Sequence, residues 1–199
     1  MKVLYLTFSV LLFDQITKLF VKGFSIPFLN FSVQGMSHGQ KIALIDNVLN
    51  ITFIENPGIA FGIDFGADFK MLITIITIAA SIGLSIYMFF IRKKKLSIRL
   101  SAALILGGAL GNLVDRSFYG IFYGYAPLLH GKVVDFINIR VFDIYIFNKV
   151  LGNYIFNIAD LAVTAGVVML LISYSRERKE NVELQSSLNN YLAGSPGED

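Results

Sequence analysis

Asp160 is the first residue that demands a chemical explanation. It lies one turn inside FNIADLAVTAGVVMLLISYSRERK, residues 156–179, in a run that otherwise reads as soluble in lipid. A carboxylate at such depth costs on the order of 3 kcal/mol or more, so it needs a partner or a task. Asp14 in LLFDQITKLF, Asp115 in GNLVDR and Asp135 in GKVVDFINI also lie in or beside apolar sequence. Two carboxylates that face each other can share one proton, because both cannot ionise cheaply at close range. The ionised member can take a proton from an attacking water while the protonated member donates to a peptide carbonyl oxygen. A weakly hydrated site strengthens both effects. Asp14 stands one helical turn from Lys18 and Asp115 is adjacent to Arg116, so local cations favour structural, ionised roles for these two. Asp135 has only Lys132 nearby, and Val133, Val134, Phe136 and Ile137 cannot solvate it, which makes it the better partner for Asp160 by a modest margin.

Other chemistries find little support. The chain has no cysteine, which excludes a disulfide, a thiol nucleophile and a thiolate metal site. His38 and His130 each precede a glycine in loop-like sequence, where a surface role is expected. There is no H-E-x-x-H pair, which argues against a zinc protease, and the G-x-x-x-x-G-K-[ST] phosphate loop is absent.

The elements that must hold these acids follow from composition. Hydrophobic residues make up 55% of the 199-residue chain, charged residues 16%, and the mean hydropathy is +0.64, too apolar for an ordinary soluble domain. Four stretches, 3–21, 71–91, 96–114 and 156–175, each cover roughly 28–31 Å as a helix, enough to cross a hydrocarbon core. The first of them resembles a secretory leader, but no small-x-small cleavage site follows and DQITKLF continues at helical spacing, so a retained helix is expected. The expected fold is an all-α integral membrane protein: four transmembrane helices, a small outer β-rich segment and an outer interfacial flap. Residues 1–175 form one membrane domain, with outer segments 22–70 and 115–155 and a polar cytoplasmic tail, 176–199. The tail is expected to start as a short helix and fray.

Orientation comes from RKKK, residues 92–95, which the positive-inside rule places in the cytoplasm together with both termini. Asp14, Gln15 and Lys18, then ENPGIAFG (55–62), then Asn112, Asp115 and Arg116, then Asn157 and Asp160 fall at the outer ends of the spans. Separate segments thus converge on one outer-leaflet layer. Asn157 and Asp160 are one turn apart and project together, and Gly107 with Gly111 allows a close helix approach. VLNITFI and GKVVDFINI read as strands, and SFYGIFYGYAPLLH (117–130) as an interfacial flap or an inert aromatic belt. Asp46, Asp64, Asp68 and Asp143 read as solvated loop charges.

Five motifs in this order, DQITK, NPGIAFG, GGALGNLVDR, GKVVDFINI and FNIADLAVTAG, closely resemble the lipoprotein signal peptidase family of bacteria, from about Leu11 to Gly166. The resemblance implies an intramembrane aspartic endopeptidase of the bacterial inner membrane with no cofactor and no nucleic-acid partner; a monomer is expected. Its substrate would be a prolipoprotein whose cysteine carries diacylglycerol, cut just before that cysteine. Carried over by motif, Asp135 and Asp160 are the catalytic pair. Asn112, Arg116 and Asn157 position the pair and the substrate, and Asp14, Lys18, Asn56, Gly58 and Asn138 match further polar positions. A small transporter and a structural membrane subunit are the rival readings.

Overall fold

The computed structural model of the chain describes residues 2–46, 48–58, 67–146 and 149–194. Ile59–Gly62 of the NPGIAFG motif and the loop acid Asp64 lie outside the described residues. Among the described residues four helices are long and apolar enough to cross a membrane: α1 (Leu4–Lys22), α2 (Ala67–Phe90), α3 (Leu96–Val114), and, after a short turn α4 (Gly120–Phe122), α5 (Ile158–Gly194).

Helix α3 is the hub, packing against α1, α2 and α5. It can be so because its buried face is built from small residues: Ser101, Ala102, Ala103, Gly107, Gly108 and Gly111. In lipid no hydrophobic force separates helix from solvent, so close backbone approach and polar contacts carry the association. A Cβ on Gly107 would lie 2.9 Å from the Thr7 carbonyl oxygen, and one on Gly108 only 2.3 Å from that of Ala159. At Gly111 it would sit 2.6 Å from Asp14 Oδ2. The glycine pair expected to permit close approach thus receives α1, and Gly108 receives α5. Thr7 Oγ1 adds a hydrogen bond to the Ala103 carbonyl at 3.0 Å. Phe8, Phe13, Ile76, Ile86 and Leu171 stay exposed on the outer faces, where lipid rather than water is the fitting neighbour.

Two antiparallel sheets follow the outer segments. β1 (Phe24–Ile26) pairs with β2 (Phe31–Val33), and a second sheet has the order β3 (Lys41–Ile45), β4 (Leu49–Asn56), β5 (Val133–Ile146), β6 (Lys149–Phe156). Its register matters for function. Asp135 lies opposite Ile54 on β4, and Ile137 lies opposite Phe156, the last residue of β6. The chain leaves β6 directly into α5, so the sheet delivers the first turn of α5 beside Asp135.

One expectation gains detail and one needs correction. The segment 117–130 starts as a continuation of α3, through a π-helical turn (Asp115–Tyr119) into α4. Tyr119 is buried and donates to Gln15 Oε1 at 3.1 Å, and Tyr123 donates to the Gly23 carbonyl at 2.9 Å. The hydroxyls find partners on α1 and its end, and this anchors the aromatic run. The tail, in turn, is no short helix beyond residue 175: α5 runs unbroken to Gly194. RERKENVELQSSLNN has no Gly or Pro to stop it and is rich in helix formers. Lys94 pairs with Glu177 at 2.8 Å and Lys95 with Glu180, which tie this extension to the α2–α3 loop.

Candidate active site

The site is built on the N-terminus of α5. Asn157 caps the helix: its Oδ1 accepts the Asp160 N–H at 3.0 Å, while Asp160 Oδ2 accepts the Asn157 N–H at 3.2 Å. This reciprocal arrangement satisfies two amide donors that a helix start would leave orphaned. A third, the Ala159 N–H, donates to Asp14 Oδ1 of α1 at 2.9 Å. The helix start therefore fixes Asp160 by local geometry, and its dipole favours negative charge there. Asn112 Nδ2, from α3, donates to Asp160 Oδ1 at 2.8 Å.

Asp135 reaches the same place from β5 and is 4% exposed. Asn157 Nδ2 donates to its Oδ1 at 2.7 Å, and Asn56 Nδ2 to its Oδ2 at 3.2 Å. One residue, Asn157, thus touches both acids, with its side chain on Asp135 and its backbone on Asp160. Asn56 is oriented by its own turn: its Oδ1 accepts the Gly58 N–H at 2.9 Å, which leaves the amide nitrogen for Asp135. Gly58 has φ +93°, a left-handed conformation in which a side chain would be strained. Burial, and next the charge of Asp160, push the Asp135 carboxyl up to about 7.

Behind the pair lies a buried charge cluster. Lys18 Nζ is 2.8 Å from Asp14 Oδ2 and 2.8 Å from Asp115 Oδ2, and the side chains of all three are 0% exposed. Lys18 also donates to Asn112 Oδ1 at 2.9 Å. That bond settles which way the Asn112 amide points, since its oxygen faces Lys18 and its nitrogen must face Asp160. Asp115 further accepts from Gln15 Nε2 at 2.8 Å and from the Val134 N–H at 3.1 Å, beside Asp135.

Asp115 has a second cation besides its sequence neighbour Arg116: its ion pair is with Lys18 of α1. The π-helical turn carries Asp115 inward towards α1, and Arg116 lies within electrostatic reach of Asp115 first and then of Asp160 and Asp135. With Asp14 and Asp115 balanced by Lys18 and Arg116, the charge left over is that of the Asp135–Asp160 pair itself. Asn138 stands apart. It is fully buried and donates to Thr52 Oγ1 at 3.0 Å, and among the described residues no hydrogen bond joins it to either acid.

Asp14, Lys18, Asn56, Gly58, Asn112, Arg116, Asp135, Asn157 and Asp160 therefore form one connected layer. Two further residues contribute that local sequence marks only as polar. Gln15 bridges Asp14, Asp115 and the Gly111 carbonyl. Glu55, directly before Asn56, pairs with Lys22, whose ammonium lies 4.0 Å from the Tyr123 ring centroid and 4.8 Å from that of Tyr125. Lys22 stands one turn beyond Lys18 on the same face of α1, which was the available signal.

Residues 6–176 match the family described as signal peptidase (SPase) II. The chain belongs to this family of aspartic peptidases. A lipoprotein signal peptidase of Clostridium novyi (strain NT) is 35% identical over 179 residues, covering 90% of this chain and 100% of that protein. One of Listeria welshimeri is 37% identical over 173 residues, covering 84% and 88%. A solved structure titled a bacterial membrane enzyme, determined in meso at 2.3 Å, aligns with TM-score 0.62 at 28% identity and covers 90% of each chain. A second of the same title, at 1.9 Å, gives 0.59 at 33% identity, covering 87% and 92%. As a signal peptidase II family member, the chain is a multi-pass bacterial membrane enzyme, and the transporter and structural-subunit readings fall away.

Proposed function

We propose that this peptidase cuts prolipoproteins just before a cysteine carrying diacylglycerol, with Asp135 and Asp160 sharing the acid and base roles. The observation that supports it most is Asn157 holding both carboxylates at once, with Asp135 raised to about 7. Near neutral pH such a pair keeps one proton between its members. Asp135 holds that proton and Asp160 acts as base. Water attacks the carbonyl carbon as Asp160 takes its proton, and Asp135 passes its own to the carbonyl oxygen. The tetrahedral intermediate then collapses: the C–N bond breaks, Asp160 protonates the departing amine, and the hydroxyl proton returns to Asp135. Arg116 offsets the negative charge that develops in this layer, and Asn56, Asn112 and Asn157 keep the carboxylates oriented.

The layer lies at the outer leaflet in this reading, with both termini cytoplasmic and the chain working as a monomer. Residues 1–175 act as one membrane domain. A lipid-anchored cysteine is held at the membrane surface, so catalytic groups at that depth meet the scissile bond directly. The test uses purified protein with a synthetic prolipoprotein peptide, made with and without diacylglycerol on its cysteine. Mass spectrometry should locate one cut, before the cysteine, in the lipidated peptide alone. Equal cleavage of both peptides, or a cut elsewhere, would overturn the substrate assignment.

A further inference from the structure

Towards the other end of the bundle, the start of α1, the end of α2 and the first half of α3 enclose a cavity of about 550 Å³. Its wall is mainly apolar, with Val3, Met88 and Leu106 buried in it, while Arg92, Lys93 and Arg99 line it too. These cations differ from their neighbours. Lys94 and Lys95 of the same loop are each paired with a glutamate of α5. Among the described residues, no carboxylate lies within ion-pair distance of Arg92, Lys93 or Arg99. The Arg92 guanidinium lies 4.4 Å from the Phe89 ring centroid, which holds it back along the end of α2.

We propose that this cavity binds one anionic phospholipid of the leaflet at that end, its phosphodiester on Arg92, Lys93 and Arg99 and an acyl chain in the slot. The charge fits. Unpaired cations favour a phosphodiester with no cation of its own, and guanidinium groups meet phosphate oxygens through paired N–H donors. The shape fits as well. Arg99 and Leu106 lie about 10 Å apart along α3, so the slot has depth for part of a chain beneath the charged head. A free anion would leave that apolar depth empty, and a zwitterionic headgroup would bring its own cation against the arginines. Basic pockets between transmembrane helices on the positive side of a membrane recognise anionic lipid on this principle. A lipid seated there bridges α1 and α2 across α3, the helix that carries Asn112 to the acid pair and runs on into the turn bearing Arg116.

The test uses the full chain in an uncharged detergent, titrated with short-chain phosphatidylglycerol, matched phosphatidylcholine or inorganic phosphate. Native mass spectrometry counts bound lipid and thermal unfolding reads affinity. Phosphatidylglycerol should bind once per chain and raise the melting temperature saturably. The Arg92→Gln/Arg99→Gln double variant should weaken that affinity about tenfold or more, as loss of charge-assisted phosphate bonds requires. Lys94→Gln/Lys95→Gln removes the same charge from adjacent positions and should change it less than about threefold, as expected for exposed cations. Val3→Trp, which fills the slot and alters no charge, should also weaken binding. Equal losses in the two double variants would overturn the site in favour of diffuse surface charge. Equal binding of phosphatidylcholine, an equal shift with inorganic phosphate, or undiminished binding by Val3→Trp would overturn it too.

Discussion

At the scale of single residues, burial decides which charges need a partner and which can do chemistry. Asp160 was legible in the sequence because a lone acid in lipid-soluble sequence has few explanations. Asp135 was legible because its apolar neighbours cannot solvate it. The Lys18–Asp115 contact was not, since it joins residues distant in the chain and no local pattern encodes it. Two predictions belong here. The Asp135 carboxyl titrates near 7 in the folded chain against about 4 when unfolded, so folding favours its protonated form. A raised folded value makes its contribution to stability full below about pH 4 and lost as pH rises through about 7. Relative to wild type, Asp135→Asn should therefore gain in melting temperature across that window, and thermal unfolding of both proteins at several pH values will show it. Lys18→Met leaves Asp14 and Asp115 buried without their cation, which should cost on the order of 3–5 kcal/mol. Chemical unfolding of the purified variant measures that loss.

Elements set the distances that residues exploit. The four spans could be read from length and hydropathy, and β4 and β5 from their β-branched runs, because these signals are local. The continuation of α3 through a π-helical turn could not, since it is stabilised by tyrosine hydroxyls reaching α1 rather than by its own sequence pattern. The continuation of α5 past Ser175 is a local signal, since RERKENVELQSSLNN has no Gly or Pro and is rich in helix formers. Ion pairs with the α2–α3 loop only tie down its first turns. Glycine substitutions separate packing from propensity. Gly108→Ala places a Cβ against the Ala159 carbonyl one residue from Asp160, so it should push α5 outward. The expected cost is about 1–3 kcal/mol with a matching fall in turnover. Gly83→Ala on α2 meets nothing within 4 Å, and should be neutral or stabilising by up to ~1 kcal/mol. Melting temperatures of the two variants, measured side by side, check the contrast.

For the whole molecule, the informative feature is convergence: α1, β4, α3, β5 and the start of α5 each bring polar groups to one layer. The sequence made this layer legible through the alternating direction of the spans, although it could not show which amide faced which acid. Orientation of the molecule can be tested without background labelling, because the chain contains no cysteine. An impermeant maleimide should label Ser37→Cys from outside in intact cells or spheroplasts, and Lys94→Cys only after lysis. The reverse pattern would put the acid layer at the inner leaflet.

The central claim, that Asp135 and Asp160 share the chemistry, is tested most directly by turnover of a diacylglyceryl peptide by purified Asp135→Asn, Asp160→Asn and Asp115→Asn proteins, each checked for folding. Asparagine keeps the shape of aspartate but can neither carry the charge nor move the proton. Each of the first two variants should lose at least ~10³-fold in turnover while staying folded. Asp115→Asn should lose stability first, because Lys18 then keeps only one carboxylate partner. Substantial turnover by Asp135→Asn or Asp160→Asn, alongside a well-folded but inactive Asp115→Asn, would contradict the assignment.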